Sequence, residues 1–173
     1  MEIDHLERIF GALQTANVRY LVVGGLAVIA HGYLRYTNDI DLVVAFERNN
    51  LATAMAVLKE LGYRPKAPVN ALDFADPEKR RQWVEEKGMV VFQLVSENFT
   101  REPIDVFVSA PFDVEAAYAC CEWRDVAPTL RVPVVSLSAL LDMKRSASRS
   151  TDLIDVEKLL QLQRFRDEQR NQS

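Results

Sequence analysis

Tyr20-Leu-Val-Val-Gly-Gly-Leu-Ala-Val-Ile-Ala30, followed after a polar link by Asp39-Ile-Asp-Leu-Val-Val44, decides the fold. Tyr20 to Val23 is a short apolar run rich in β-branched residues, the pattern of a buried strand. Gly24-Gly25 stops it, and a helical pattern resumes over Leu26 to Ala30. A strand, a diglycine turn and a helix in succession present backbone N–H groups at a helix start, where unpaired donors and the helix dipole favour an anion. Asp39 to Val44 alternates and then turns apolar, so another strand enters the core there. In an extended chain residues two apart point to the same side, and Asp39 and Asp41 therefore face one way while Ile40 faces the core.

Outward from this stretch, Ile3, Leu6, Ile9, Phe10 and Leu13 recur at spacings of three and four and predict an amphipathic opening helix. Leu51, Met55, Leu58 and Leu61 predict a helix capped by Asn49 or Asn50 and stopped by Gly62. Pro65 to Lys87 is charged and proline-bearing, and reads as loop with a short helix. Met89 to Val95 and Ile104 to Val108 read as two strands joined by a polar link. Val114 to Cys121 reads as a helix, Trp123 to Val126 and Leu130 to Val134 as short strands, and Ser136 as the cap of a helix to about Arg145. A last helix starts at Ser150 or Thr151 with Ile154, Leu159, Leu160 and Leu162 as its buried face.

The expected class is α/β: a small mixed sheet with helices mainly on one side and a helical C-terminal portion. With 173 residues the chain suits a single domain (1–173), divided into a sheet core (1–110), a mainly helical portion (111–165) and a polar tail (166–173) that frays. The composition, 49% hydrophobic and 27% charged, excludes disordered and low-complexity classes. No apolar stretch is long enough to span a bilayer and the start carries acids instead of a secretory signal, so a cytoplasmic protein without membrane contact is expected. A net charge of -4 argues against general polyanion binding and makes any phosphate recognition local. Cys120 and Cys121 are adjacent, which gives no metal-ligand spacing, and they read as helix-face packing.

Two acids side by side at a strand start repel each other, and a divalent cation between them turns that repulsion into ligation by hard oxygen donors. Asp105, in Ile104-Asp-Val-Phe107, is a third acid on an apolar strand, where a lone carboxylate is costly to bury. If the two strands are neighbours, the three acids form one cluster suited to two-metal displacement at phosphorus. Gly24-Gly25, the interval to Asp39-Ile-Asp41 and the later Asp105 together resemble the DNA polymerase β-like nucleotidyltransferase superfamily. The stretch Gly24 to Val44 resembles small bacterial members related to the enzymes of abortive-infection and toxin–antitoxin systems. The stretch Leu137 to Asp155 resembles their helical tail, so the resemblance covers about half the chain; Gly25 stands where many relatives have serine.

The resemblance implies that Asp39, Asp41 and Asp105 hold Mg2+ (with Mn2+ as a substitute) and that an acceptor hydroxyl attacks the α-phosphate of a nucleoside triphosphate. Gly24 and Gly25 would leave room for the outer phosphates. Arg35, Thr37 and Lys144 are further nucleotide-binding candidates, Lys144 as a free cation reaching the cleft. His31 reads as a structural residue near a helix end. Asp152 and Asp155 read as acids favoured by a helix N-terminus. The acceptor could be RNA, a protein or a small molecule, and a cognate partner protein fits the toxin–antitoxin context. The alternatives are an antibiotic-type enzyme acting on a small hydroxylated molecule, or a catalytically silent binding partner with the same fold.

Overall fold

The apolar stripe Leu6, Ile9, Phe10 and Leu13 is buried as its spacing predicts, on helix α1 (Ile3–Thr15). In the computed structural model, which describes residues 1–171, there follow β1 (Tyr20–Val22), α2 (Gly24–Ala30), β2 (Ile40–Val44), α3 (Arg48–Glu60) and β3 (Tyr63–Pro65). A 3-10 turn (Ala71–Ala75) leads to α4 (Pro77–Lys87), β4 (Val91–Ser96) and β5 (Ile104–Phe107). The chain continues with α5 (Val114–Ala119), β6 (Glu122–Ala127), β7 (Leu130–Val134), α6 (Leu137–Ala147) and α7 (Ser150–Asn171).

All seven strands form one mixed sheet in the order β3-β4-β5-β2-β1-β7-β6. The β2/β5 and β1/β7 pairs are parallel and the others antiparallel. Ile40, Leu42, Phe92, Leu94, Ile104 and Val106 are buried on one face of the central strands. Burial alternates residue by residue along β4 and β5, so the other face, which carries Gln93 and Asp105, is only half covered.

Several local expectations are corrected. Helix α3 begins after Glu47, and Asn50 does not cap it. Its side chain instead accepts from Arg19 N at 2.8 Å and donates to the carbonyls of Arg19 and Ala45, tying the helix to the start of β1. Tyr63 and Arg64, which carry no sequence signal, and Pro65, where the loop is expected to begin, form β3, an edge strand whose short length and Pro65 suit an edge. Asp76 caps α4 by accepting from Glu78 N, Pro77 takes the first turn, and Gly88 closes the helix in the left-handed conformation. Strand β7, in the portion after residue 110, lies beside β1 in the sheet.

The tail expected to fray from residue 166 is helical to Asn171, and Arg166 donates to the His31 carbonyl at 3.0 Å. Gln172 and Ser173, the end of that expected tail, lie outside the described residues. The buried positions of α7 are Asp152, Asp155 and Leu159, at helical spacing, while Ile154 is half exposed at 50%. Cys120 is exposed at the end of α5 and Cys121 is half-buried; both are free thiols. Among the described residues no helix is long and apolar enough to cross a membrane.

Candidate active site

The parallel pairing of β2 with β5 sets Asp41 directly opposite Asp105. The antiparallel pairing of β5 with β4 sets Asp105 opposite Gln93, and Lys66 follows β3 with its N–H on the Gln93 carbonyl at 2.9 Å. Paired residues share a face, so these residues form a row across the half-covered side of the sheet. Asp41, Gln93 and Asp105 each lie between apolar neighbours that point to the core, which is why strand period two puts the polar residue of each strand on this side.

Asp39 sits just before β2, where the Ile40 N–H bonds to the Pro103 carbonyl and continues the ladder. Burial pushes the Asp41 carboxyl above its ordinary range; the Gly25 N–H, 3.3 Å from its Oδ2, opposes this, Asp105 and Asp39 add to it, and Lys144 offsets part. Burial likewise raises Asp105, with Gln93 and Lys66 opposing and Asp39 adding. Asp39 and Asp105 thus both act on Asp41, and Asp39 acts on Asp105. Their carboxylates do not close on a common point, however: among the described residues no three Asp, Glu, His or Cys side chains stand together as a metal-holding group. By donor chemistry the cluster still fits a divalent cation, since it consists of hard carboxylate oxygens whose negative charge is only partly offset in a partly buried place.

The diglycine works differently from the expectation of open space for phosphates. A Cβ on Gly24 would fall on the Asp41 carboxylate, and the residue holds a left-handed φ of +59°. A Cβ on Gly25 would fall on Thr37 Oγ1 and come within 2.8 Å of Arg35 Nη2. The room at both glycines is therefore filled by protein: Gly24 seats Asp41, and Gly25 seats the loop that carries Arg35 and Thr37.

Lys144 is not a free cation. It is 6% exposed, with Nζ 2.8 Å from both Asp152 Oδ1 and Asp155 Oδ2. Arg149 Nε reaches Asp152 Oδ2 at 2.7 Å and Arg35 Nε lies 3.1 Å from Asp155 Oδ1. Asp152 and Asp155 are 2% and 1% exposed, so they are the buried anions of a five-residue charge network and not solvated helix-start acids. Burial alone would raise Asp152, but bonds from Lys144 and Arg149 hold its carboxyl below the ordinary range. The network borders the acid row, because Lys144 and Arg149 both interact electrostatically with Asp41. His31 is buried with Nε2 2.8 Å from the Val135 carbonyl, and burial lowers its basicity, in keeping with a structural role.

Sequence reading gave no site role to Gln93, Lys66 or Arg149 and did not foresee that Asp152 and Asp155 share Lys144. Gln93 is the polar interruption of the apolar run Val91 to Val95, and Asp152 and Asp155 share a helix face with Leu159. Those signals gain meaning only once the register of β4 on β5 and the docking of α7 are known.

Two solved structures share the fold over nearly their whole lengths. The lincosamide antibiotic adenylyltransferase LnuA, in a lincomycin-bound crystal structure, is 16% identical, with a TM-score of 0.59 over 90% of this chain and 94% of that one. ANT(2")-Ia, in complex with adenylyl-2"-tobramycin, is 19% identical, with a TM-score of 0.59 over 91% of this chain and 86% of that one. No curated protein sequence matches the chain. The family model described as nucleotidyl transferase AbiEii toxin, type IV TA system, matches residues 10–171, a span that takes in the diglycine, all three acids and the charge network. The chain is therefore a nucleotidyltransferase and belongs to the AbiEii toxin family of type IV toxin–antitoxin systems.

Proposed function

We propose that the chain transfers a nucleoside monophosphate from a nucleoside triphosphate to an acceptor hydroxyl, with Asp39, Asp41 and Asp105 as the residues that hold Mg2+, which Mn2+ can replace. The observation that carries this reading is the facing of Asp41 and Asp105 across adjacent parallel strands, with both carboxyls raised by burial and by acidic neighbours. A divalent cation supplies charge neutralisation at the phosphates and lowers the cost of the hydroxyl's deprotonation.

The residues of the chain do the rest. Asp105, between Asp41 and Gln93 in the row, is the carboxylate that accepts the acceptor's proton. The Gly25 N–H holds Asp41 in orientation. Arg35, whose Nη1 donates to the Tyr36 carbonyl at 2.9 Å, and Thr37 lie on the loop against Gly25 and supply donors for the triphosphate. Lys144 contributes positive charge beside Asp41 from within its ion pairs.

A nucleoside triphosphate donor suits a cytoplasmic protein, and the family context suits a cognate partner protein. RNA ends and protein hydroxyls are the first acceptor classes to try. A small hydroxylated molecule is the second reading, favoured by the fold shared with the two antibiotic-bound enzymes. The test is pyrophosphate release from each nucleoside triphosphate with and without Mg2+ in the presence of each acceptor class. Release that needs Mg2+ and disappears in Asp41→Asn supports the reading; release indifferent to both refutes it.

A further inference from the structure

Gln93 Nε2 donates to Asp105 Oδ1 at 2.9 Å, and Lys66 Nζ donates to Gln93 Oε1 at 2.7 Å. An ammonium can only donate and an ionised carboxylate can only accept. A primary amide between the two therefore has a single workable orientation, carbonyl toward Lys66 and NH2 toward Asp105. Backbone pairing supports the same alignment, since Gln93 is the register partner of Asp105 and the Lys66 N–H bonds the Gln93 carbonyl. The carboxylate torsion of an aspartate is broad and roughly two-fold. With Oδ1 held from the β4 side, that torsion is fixed and Oδ2 is the oxygen left for the Asp41 side of the row.

From this geometry we propose that Gln93, locked by Lys66, is a positioning residue that sets which oxygen of Asp105 is presented to the cation and the acceptor hydroxyl. The proposal rests on the reading of Asp105 as part of the nucleotidyl-transfer site. Lys66 is exposed and Gln93 half-buried, so neither is required to fill the core.

The test is a Mn2+ titration followed by electron paramagnetic resonance on the full chain, free of nucleotide, for the parent, Gln93→Met, Lys66→Met, Lys66→Arg and Asp105→Asn proteins. Gln93→Met keeps the side-chain length and removes both hydrogen bonds; it is expected to weaken Mn2+ binding by about 10-fold to 100-fold, the usual consequence of removing a residue that orients a metal ligand. Lys66→Met is expected to lose part of the affinity and Lys66→Arg to recover it, while melting temperatures stay close to that of the parent. A general structural role would not reproduce that order of affinities. Parent-like Mn2+ affinity in Gln93→Met alongside a loss in Asp105→Asn overturns the proposal and leaves the catalytic reading standing. Parent-like affinity in both variants overturns the two together.

Discussion

At the scale of single residues, Asp41 is held in a place that costs stability. Its carboxyl is raised by burial and by Asp105 and Asp39, and the Gly25 N–H only partly compensates. Asp41→Asn keeps an oxygen for that N–H and removes the charge, so it should raise the melting temperature by about 2 to 4 °C, corresponding to roughly 1 kcal/mol, while abolishing transfer. A calorimetric scan beside an activity assay checks both halves, and a lowered melting temperature would show that the carboxylate is a net stabiliser. Gly24 is the other side of the same contact. Gly24→Ala places a Cβ on the Asp41 carboxylate and strains a left-handed φ, so it should cost more than about 1 kcal/mol and displace the acid. Denaturant melts measure the cost. If the double variant with Asp41→Gly recovers most of it, the clash is the cause. The paired acids and the diglycine were legible in the sequence because their spacing is local. That Gly24 serves Asp41 was not, because the contact spans from the first residue of α2 to β2, across the whole of α2 and the following loop.

At the scale of elements, α7 shows where periodicity misleads. Its apolar residues predict a buried face through Ile154 and Leu162, yet the buried positions are Asp152, Asp155 and Leu159. A hydropathy pattern assigns carboxylates to solvent, and only the cations of other elements, Lys144 from α6 and Arg35 from the loop before β2, make their burial tolerable. The strands were more legible than the helix contacts, because β4 and β5 alternate clearly and β1 and β2 are apolar. The edge strand β3 was not, since Tyr63-Arg-Pro65 is too short to show a period. The charge network makes α6 and α7 one unit with the site. Removing Lys144 would leave Asp152 with Arg149 and Asp155 with Arg35 as their remaining cations, and breaking a buried ion pair costs about 3 to 5 kcal/mol. Lys144→Ala is therefore expected to lower the melting temperature strongly, with activity lost through the disturbed fold as well as through missing charge. Equal melting temperatures for Lys144→Ala and the parent would show that the network contributes nothing to docking α7.

At the scale of the whole molecule, acids of opposite linkage share one fold. Glu102 is fully buried; burial would raise it, but His5 at 2.9 Å, the Glu2 N–H at 3.0 Å and the N-terminal amine hold its carboxyl below the ordinary range. Asp152 is depressed likewise by Lys144 and Arg149. A depressed carboxyl contributes stability that is complete above its unfolded pKa, near 4, and is lost as pH falls through the folded value. Asp41 and Asp105 run the other way. Their raised values impose a cost that is complete above the folded pKa and relieved as pH falls toward the unfolded one. A cation that binds the ionised cluster in the folded state cancels that cost only while the two acids are charged. At about a hundred times its Kd such a cation adds roughly 2.7 kcal/mol, on the order of 5 to 10 °C for a chain of this size. Mg2+ or Mn2+ should therefore raise the melting temperature near neutral pH and have little effect near pH 4, where protonated carboxyls no longer ligate. Asp41→Asn should lose most of the gain at neutral pH. A gain of the same size at both pH values, or one retained in Asp41→Asn, would locate cation binding away from the acid row.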